Sequence, residues 1–330
     1  MFFDESLPEK IPGETRIAHL SDLHISPRRA RIADETRRFL KRPICNNLEW
    51  TALILADAAR HGVDHVVIAG DLSQNGRQRQ FAALREILKE YNDPRRLSVV
   101  PGNHDVSYRE FIAKGRAKPN HPAKLTGFLE VFNHVIPAAY PPELRLDKQG
   151  VFPSVKFIGP RESVVLIGID TTSGFSTHMP GLNSLGNVSR AQFAALREIL
   201  ETKALASRTK IVLMHHHPMI VPFYNWFDNF KSLMRSKRLL DLLYERRVDL
   251  ILHGHKHHPF CWQSHTFDDH NLSVVCAGPP DAYSNGVERP RDLVYNIYAL
   301  REGSIHVHYQ RCSVMGRQRG SFEFSRKRKE

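Results

Sequence analysis

The chain has 330 residues, of which 41% are hydrophobic and 25% are charged. This composition is typical of a globular protein and excludes a disordered or fibrous chain. An excess of 47 Lys and Arg over 35 Asp and Glu gives a net charge of +12, which favours an anionic ligand. The four cysteines are far apart and form no Cys-x-x-Cys pair, so neither a disulfide framework nor a zinc ribbon is expected.

The sequence predicts neither a membrane-spanning nor an exported protein. Its apolar runs are much shorter than the roughly eighteen residues that a spanning helix needs. The first residues are acidic and lack the apolar segment of a secretory signal. We therefore expect no membrane span and a cytoplasmic location.

Short runs rich in Val and Ile alternate with amphipathic segments along the chain. The short runs predict buried strands, because both faces of each run are apolar; they lie at 16–20, 63–69, 97–100, 210–214 and 248–252. Periodic apolar residues predict helices at 47–60, 77–91, 189–201 and 235–246. This alternation is typical of βαβ units with mostly parallel sheets, which predicts an α/β fold.

Polar residues of the metal-ligand type follow directly after each of the five predicted strands. The chain contains 19 histidines, an unusually high number, and many of them cluster at these positions. Because the carboxyl ends of parallel strands meet at one edge of a sheet, we expect these residues to form one shared site. The candidate metal ligands are Asp22, His24, Asp71, Asn103, His216 (with His215 as its alternative), His255 and His257.

This set of ligands is larger than one tetrahedral or octahedral ion requires from the protein. Two ions bridged by one carboxylate fit the number better. Nitrogen and oxygen donors without cysteine favour Mn²⁺, Fe²⁺ or Fe³⁺, Zn²⁺ or Co²⁺. Two such ions suit in-line displacement at phosphorus, although binuclear sites also serve amide hydrolysis.

The five polar blocks resemble those of the calcineurin-like metallophosphoesterase superfamily. They occur in the family order over roughly residues 16–260, each preceded by a predicted strand. The block Asn103-His104-Asp105 and the His-His-Pro block ending at Pro218 are most similar to the class III cyclic-nucleotide phosphodiesterase-like group. The resemblance implies a four-layer αββα sandwich of two mixed β-sheets.

The resemblance also implies a role for each ligand. One ion would be held by Asp22, His24 and His257. The other would be held by Asn103, His216 and His255. Asp71 would bridge the two ions together with a hydroxide that attacks phosphorus.

Two further residues have roles outside metal binding in this family. By resemblance, His104 would lie over the substrate, where it would stabilise the phosphoryl group or protonate the leaving oxygen. Asp105 would orient His104. The implied function is hydrolysis of phosphate esters, preferably of a small diester such as a cyclic nucleotide. A phosphomonoesterase, a nuclease with the same centre and a non-catalytic scaffold are the alternatives.

We expect one metallophosphoesterase domain at 1–311, followed by a mobile basic tail at 312–330. A substrate-capping insertion is expected at 106–160, where seven prolines interrupt regular patterning. The expected partner is a small phosphorylated substrate. Nucleic acid is a less favoured ligand, and a homo-oligomer is left open.

Overall fold

The computed structural model describes most of the chain. The described residues are 7–26, 47–106, 121–136, 151–173, 185–219, 232–257, 259–264, 270–280, 292–302, 304–313 and 316–325. The strands of these segments are, in chain order, β1 (Thr15–Leu20), β2 (His65–Ala69), β3 (Leu97–Val100), β4 (Ser154–Ile158), β5 (Val164–Gly168), β6 (Thr209–Leu213), β7 (Leu250–His253), β8 (Phe260–Gln263), β9 (Ser273–Cys276), β10 (Asp292–Arg301), β11 (Ser304–Ser313) and β12 (Gly316–Ser325). The α-helices are α1 (Asn47–Arg60), α2 (Gln78–Ile87), α3 (His121–Phe132), α4 (Arg190–Glu201) and α5 (Ser236–Glu245).

The strands form two mixed sheets of six strands each. The order in the first sheet is β12-β11-β10-β1-β2-β3, with β1, β2 and β3 parallel and the three C-terminal strands antiparallel. The order in the second sheet is β4-β5-β6-β7-β9-β8, with antiparallel strands only at its two edges. The five strands and four helices that the sequence predicted are confirmed, with small differences at their ends.

Alternating side chains of the second sheet enter two different cores. On β5, Leu166 packs in the core shared with the first sheet, whereas its neighbours Val165 and Ile167 pack in the core shared with α4 and α5. This alternation follows from the two-residue period of a strand. Helices α1, α2 and α3 complete the first core. The resulting four-layer αββα sandwich confirms the predicted fold class.

Two of the predicted domain features contain regular secondary structure. Residues 316–325, predicted as part of a mobile tail, form β12, which pairs along its full length with β11. The basic residues of this segment led to the prediction of a tail, whereas its conformation follows from backbone pairing with β11. The predicted insertion at 106–160 contains β4, an edge strand of the second sheet, and α3, whose Phe128 packs against Phe81 of α2. Residues 107–120, 137–150 and 326–330 lie outside the described residues.

Within the described segments, every helix falls short of the length and apolar character needed to cross a bilayer.

One lysine is buried between the two sheets. Lys156 on β4 is 5% exposed, and its Nζ donates hydrogen bonds to the carbonyl oxygens of Leu97 (2.6 Å) and Val135 (2.8 Å). It thereby connects an edge of the second sheet to β3 of the first. Burial disfavours the ammonium form and lowers the pKa of Lys156 to about 7, although Asp93 opposes the shift.

Lys156 is expected to make the stability of the fold depend on pH. The pKa of Lys156 is about 7 in the folded protein and takes the ordinary value of 10.5 in the unfolded chain. Between these two pH values the unfolded chain binds more protons than the folded protein, so this residue makes the free energy of unfolding rise with pH. Relative to Lys156→Met, the wild type should therefore gain about 2 kcal/mol of stability between pH 7 and pH 9. Urea denaturation measures the gain, and Lys237→Met, at an exposed position, is the control. A stability difference that is constant over this range would contradict the expectation.

Candidate metal centre

The candidate ligands lie in loops that leave the carboxyl ends of strands in both sheets. The first sheet supplies Asp22 and His24 after β1, Asp71 after β2 and Asn103 after β3. The second sheet supplies the histidines that follow β6 and β7. Backbone pairing continues beyond the strands, since the amide of Asp22 donates to the carbonyl of Gly70 (3.1 Å). The site therefore rests on regular sheet structure rather than on isolated loops.

Most of the predicted ligands have an unusual backbone conformation. A left-handed φ between 46° and 73° occurs at Asp22, His24, Asp71, His255 and His257. Residues other than glycine adopt this region rarely, and such strain concentrates at functional sites. The sharp turns bring side chains from separate strands towards one point.

Two glycines allow the loops to approach one another closely. A Cβ at Gly102 would overlap with the backbone nitrogen and carboxylate of Asp71. A Cβ at Gly254 would overlap with the hydroxyl of Ser21 and the carboxylate of Asp22. The glycines in these two sequence blocks are thus required by the packing of the ligand loops.

The first group of donors consists of Asp22, His24, Asp71 and His257, whose donor atoms all lie within 4.8 Å of one another. The Nε2 atoms of His24 and His257 are 3.0 Å apart. Nε2 of His257 lies 3.4 Å from Oδ1 of Asp22, and Nε2 of His24 lies 3.7 Å from Oδ2 of Asp71. Two imidazole nitrogens so close to two carboxylates fit a shared cation.

The second group consists of Asp71, His215 and His255. Nε2 of His215 lies 3.4 Å from Oδ2 of Asp71 and 3.3 Å from Nδ1 of His255. It also lies 3.1 Å from Oδ1 of Asn103, which adds an amide oxygen to this group. Asp71 is therefore common to both groups.

The two candidate histidines after β6 have different contacts. His215, the alternative in the sequence analysis, is the one that faces Asp71 and His255. Its Nδ1 donates to the carbonyl of Ala69 (2.8 Å), so in the neutral ring the lone pair is on Nε2, towards the other donors. His216, the first choice, has its Nδ1 2.8 Å from Thr171 Oγ1 and is absent from both groups. The two rings nevertheless remain neighbours, with their centroids 5.0 Å apart.

The electrostatics of the second group favour a positive charge. Burial lowers the pKa of His215, but the carboxylates of Asp71 and Asp22 outweigh burial and raise it to about 9. Asp71 behaves in the complementary way: burial raises its pKa, yet His215 and His104 hold it well below the ordinary value. The negative potential that stabilises a proton on His215 would also stabilise a metal cation. The donors present therefore fit a metal centre, by both chemistry and charge.

His104 lies beside the first group. Its ring meets the His24 ring edge-on at 4.6 Å, and its backbone amide donates to Oδ1 of Asp71 (2.8 Å). Its Nδ1 donates to the carbonyl of Gln74 (3.0 Å). Because a carbonyl can only accept a hydrogen bond, Nδ1 carries a proton. Nε2 therefore carries the lone pair when the ring is neutral and a second N–H group when the ring is an imidazolium.

The implied role of Asp105 is corrected by the structure. Its carboxylate accepts hydrogen bonds from the amides of Leu72, Ser73 and Gly102 and from the hydroxyl of Ser73. Among the described residues, the group that orients the His104 ring is the Gln74 carbonyl and not Asp105. Asp105 instead joins the loops after β2 and β3. A backbone carbonyl leaves no signal in the sequence, which is why this contact was missed.

Thr171 is a second residue that the sequence analysis missed. It follows β5, and its hydroxyl holds the His216 ring and also accepts from the backbone amide of His216 (3.2 Å). Its position directly after an apolar run at 164–169 was a usable signal, but threonine is not a typical metal ligand.

The profile of the calcineurin-like phosphoesterase family matches residues 15–259, a span that includes every residue of the two donor groups. The chain belongs to the calcineurin-like phosphoesterase family. Members of this family act on phosphate esters, so the chain is a metallophosphoesterase by family.

Two proteins are similar to this family member in sequence or in structure. A probable cyclic nucleotide phosphodiesterase of Pseudoalteromonas sp. (strain SM9913) is 22% identical over 259 residues, which cover 78% of this chain and 76% of the relative. The structure is also similar to that of a candidate 5'-nucleotidase from Staphylococcus aureus, with a TM-score of 0.48 and 15% identity. That match covers 96% of this chain, which spans 55% of the nucleotidase.

Vps29 from Chaetomium thermophilum is a third similar protein. Its TM-score is 0.36 at 10% identity, and the match covers 95% of this chain and 100% of Vps29.

Proposed function

We propose that this calcineurin-like phosphoesterase is a phosphodiesterase that hydrolyses a small phosphate diester with two transition-metal ions. The observation that carries the proposal is the pair of donor groups joined by Asp71, with His104 beside them. A bridging carboxylate between two groups of nitrogen and oxygen donors is what a binuclear centre requires. The relative named as a probable cyclic nucleotide phosphodiesterase supports a diester substrate.

We assign one ion to each donor group. The first would be held by Asp22, His24 and His257 together with Asp71. The second would be held by His215, His255 and the Asn103 amide oxygen, again with Asp71. Mn, Fe and Zn are all compatible with these donors. When bound, two such ions supply Lewis acidity towards phosphate oxygens and acidify a coordinated water.

The protein residues have complementary tasks in this reaction. Asp71 and Asp22 place two buried negative charges between the loops. Burial lowers the pKa of His24 to about 3, and its ring stays neutral and able to donate its lone pair. His104, held at Nδ1 by the Gln74 carbonyl, presents Nε2 for the phosphoryl oxygen or the leaving oxygen. As an imidazolium it can donate that proton to the departing alkoxide.

The test is a comparison of two chromogenic esters. Protein stripped of metal with a chelator should turn over neither bis(p-nitrophenyl) phosphate nor p-nitrophenyl phosphate, and added Mn²⁺ should restore cleavage, faster for the diester. Faster cleavage of the monoester would replace the proposal with a phosphomonoesterase. The absence of turnover with Mn²⁺, Fe²⁺ and Zn²⁺ would favour a non-catalytic scaffold.

The assignment of His215 predicts different metal contents for two neighbouring variants. His215→Ala should retain only one of the two ions, because it removes a nitrogen that faces Asp71 and His255. His216→Ala should retain both ions, since this ring belongs to neither donor group. Mass spectrometry of the metals after gel filtration measures the stoichiometry. The reverse pattern would reassign the second site to His216.

A further inference from the structure

A small cavity lies at the N-terminal ends of α4 and α5. Its volume is about 170 Å³, and none of its lining residues belongs to the two metal-donor groups. Leu233 and Leu239 are buried and give it an apolar floor. Arg190, Arg235 and Arg238 are exposed side chains that surround it. We refer to this cavity as the arginine pocket.

The three arginines of the pocket have no acidic partners in the described part of the chain. No described carboxylate lies within ion-pair distance of Arg190, Arg235 or Arg238. The nearby Lys237, by contrast, is paired with Asp241 at 2.7 Å. The pocket therefore concentrates up to three positive charges that no described carboxylate compensates. Such a concentration favours an anion with more than one negative charge.

At least one of these guanidinium groups is held in place. Cζ of Arg238 lies 4.5 Å from the ring centroid of Phe193, which also lines the pocket, and Arg197 approaches the same ring at 5.7 Å. Stacking on an aromatic face restricts a long side chain before any ligand binds. Arg235 has a left-handed φ of 55°, an uncommon conformation for arginine.

The pocket lies at the same sheet edge as the metal centre but is separate from it. Helices α4 and α5 follow β5 and β6 respectively, so both helices begin at the carboxyl edge of the second sheet. Gly186, next to the pocket residue Asn187, packs against the His216 ring. The two sites could therefore be occupied at the same time.

We propose that the arginine pocket binds a small phosphorylated molecule whose phosphate meets the arginines and whose apolar part meets the floor. The paired N–H groups of a planar guanidinium match the spacing of phosphate oxygens. A phosphate dianion also balances more of the positive charge of the three arginines than a singly charged carboxylate does. The volume is smaller than that of a site for a drug-sized ligand, so the pocket accommodates a phosphate with a short apolar group. This binding is independent of the proposed phosphodiesterase reaction.

Phenylphosphonate is a suitable probe, because it has a dianionic head and an apolar ring but no phosphate ester bond to hydrolyse. We expect isothermal titration of the full chain, stripped of metal with a chelator, to show saturable binding. The double variant Arg235→Gln/Arg238→Gln should bind at least about tenfold more weakly, since it loses two charge-assisted contacts. Arg190→Gln, on the other helix, should weaken binding as well.

The matched control is Lys203→Gln/Lys237→Gln, which removes the same net charge at exposed positions outside the pocket. It should leave the affinity unchanged, and circular dichroism should show that all variants are folded. Three results would overturn the proposal: unchanged affinity in the arginine variants, an equal loss in the lysine control, or benzoate binding as tightly as phenylphosphonate.

Discussion

Asp71→Asn is expected to lower kcat/KM for the diester by about a thousandfold or more. Asp71 is the one residue common to both donor groups, and asparagine removes its negative charge while keeping its size. The loss corresponds to several kcal/mol of transition-state stabilisation supplied through the metals. Steady-state kinetics with a saturating concentration of Mn²⁺ measures it, together with the metal content of the purified variant.

The control for this variant is Asp241→Asn, the same chemical change on the surface of α5. It should leave both activity and metal content unchanged. Asp71→Asn should remain folded, because removing a buried negative charge among histidines mainly alters the ion site. Wild-type activity in Asp71→Asn would refute the binuclear assignment. Loss of activity with two ions still tightly bound would refute the role of Asp71 as their common ligand.

His104→Ala is expected to lower kcat by about 10²–10⁴-fold while leaving two ions bound. The His104 ring lies against His24 but belongs to neither donor group, so it acts on the substrate rather than on the metals. If it protonates the leaving oxygen, the loss should be larger for an alkyl leaving group than for p-nitrophenolate, which departs without help. Kinetics with p-nitrophenyl esters and with an alkyl diester measures this difference.

His134→Ala is the matched control, since His134 is an exposed histidine that bonds to Asn92. It should retain wild-type kcat on every substrate. An equal loss for good and poor leaving groups in His104→Ala would assign this residue to phosphoryl stabilisation rather than to proton transfer. Loss of bound metal in His104→Ala would show that it acts on the centre itself.

The sequence was sufficient to predict the fold class and the location of the site. Runs of Val and Ile that are apolar on both faces predict buried parallel strands, because a strand with one face in water carries polar residues on that face. Donor residues after five such runs predict a common site, since parallel strands deliver their carboxyl ends to one edge. Asp22, Asp71 and the His255–His257 pair were all identified in this way, and the structure brings them together.

The C-terminal strands show where local sequence was insufficient. The basic residues of β12 gave no strong strand signal, yet β12 pairs with β11. Its conformation depends on hydrogen bonds to a neighbouring strand, a non-local contribution that residue patterns do not record. For the same reason, part of the predicted insertion at 106–160 is β4, which is fixed by its pairing with β5.

By itself, the sequence determined which chemical groups this protein gathers at the sheet edge; only the tertiary structure decided which way each group faces. His215 and His216 are identical in type and adjacent in the chain, so residue identity could not separate them. Their positions separate them, since Nε2 of His215 faces Asp71 and His255, whereas His216 lies in neither donor group. Likewise, the Gln74 carbonyl rather than Asp105 orients His104. These contacts join residues of different strands and loops, so their geometry is defined only when the strands assemble into sheets and the two sheets pack together.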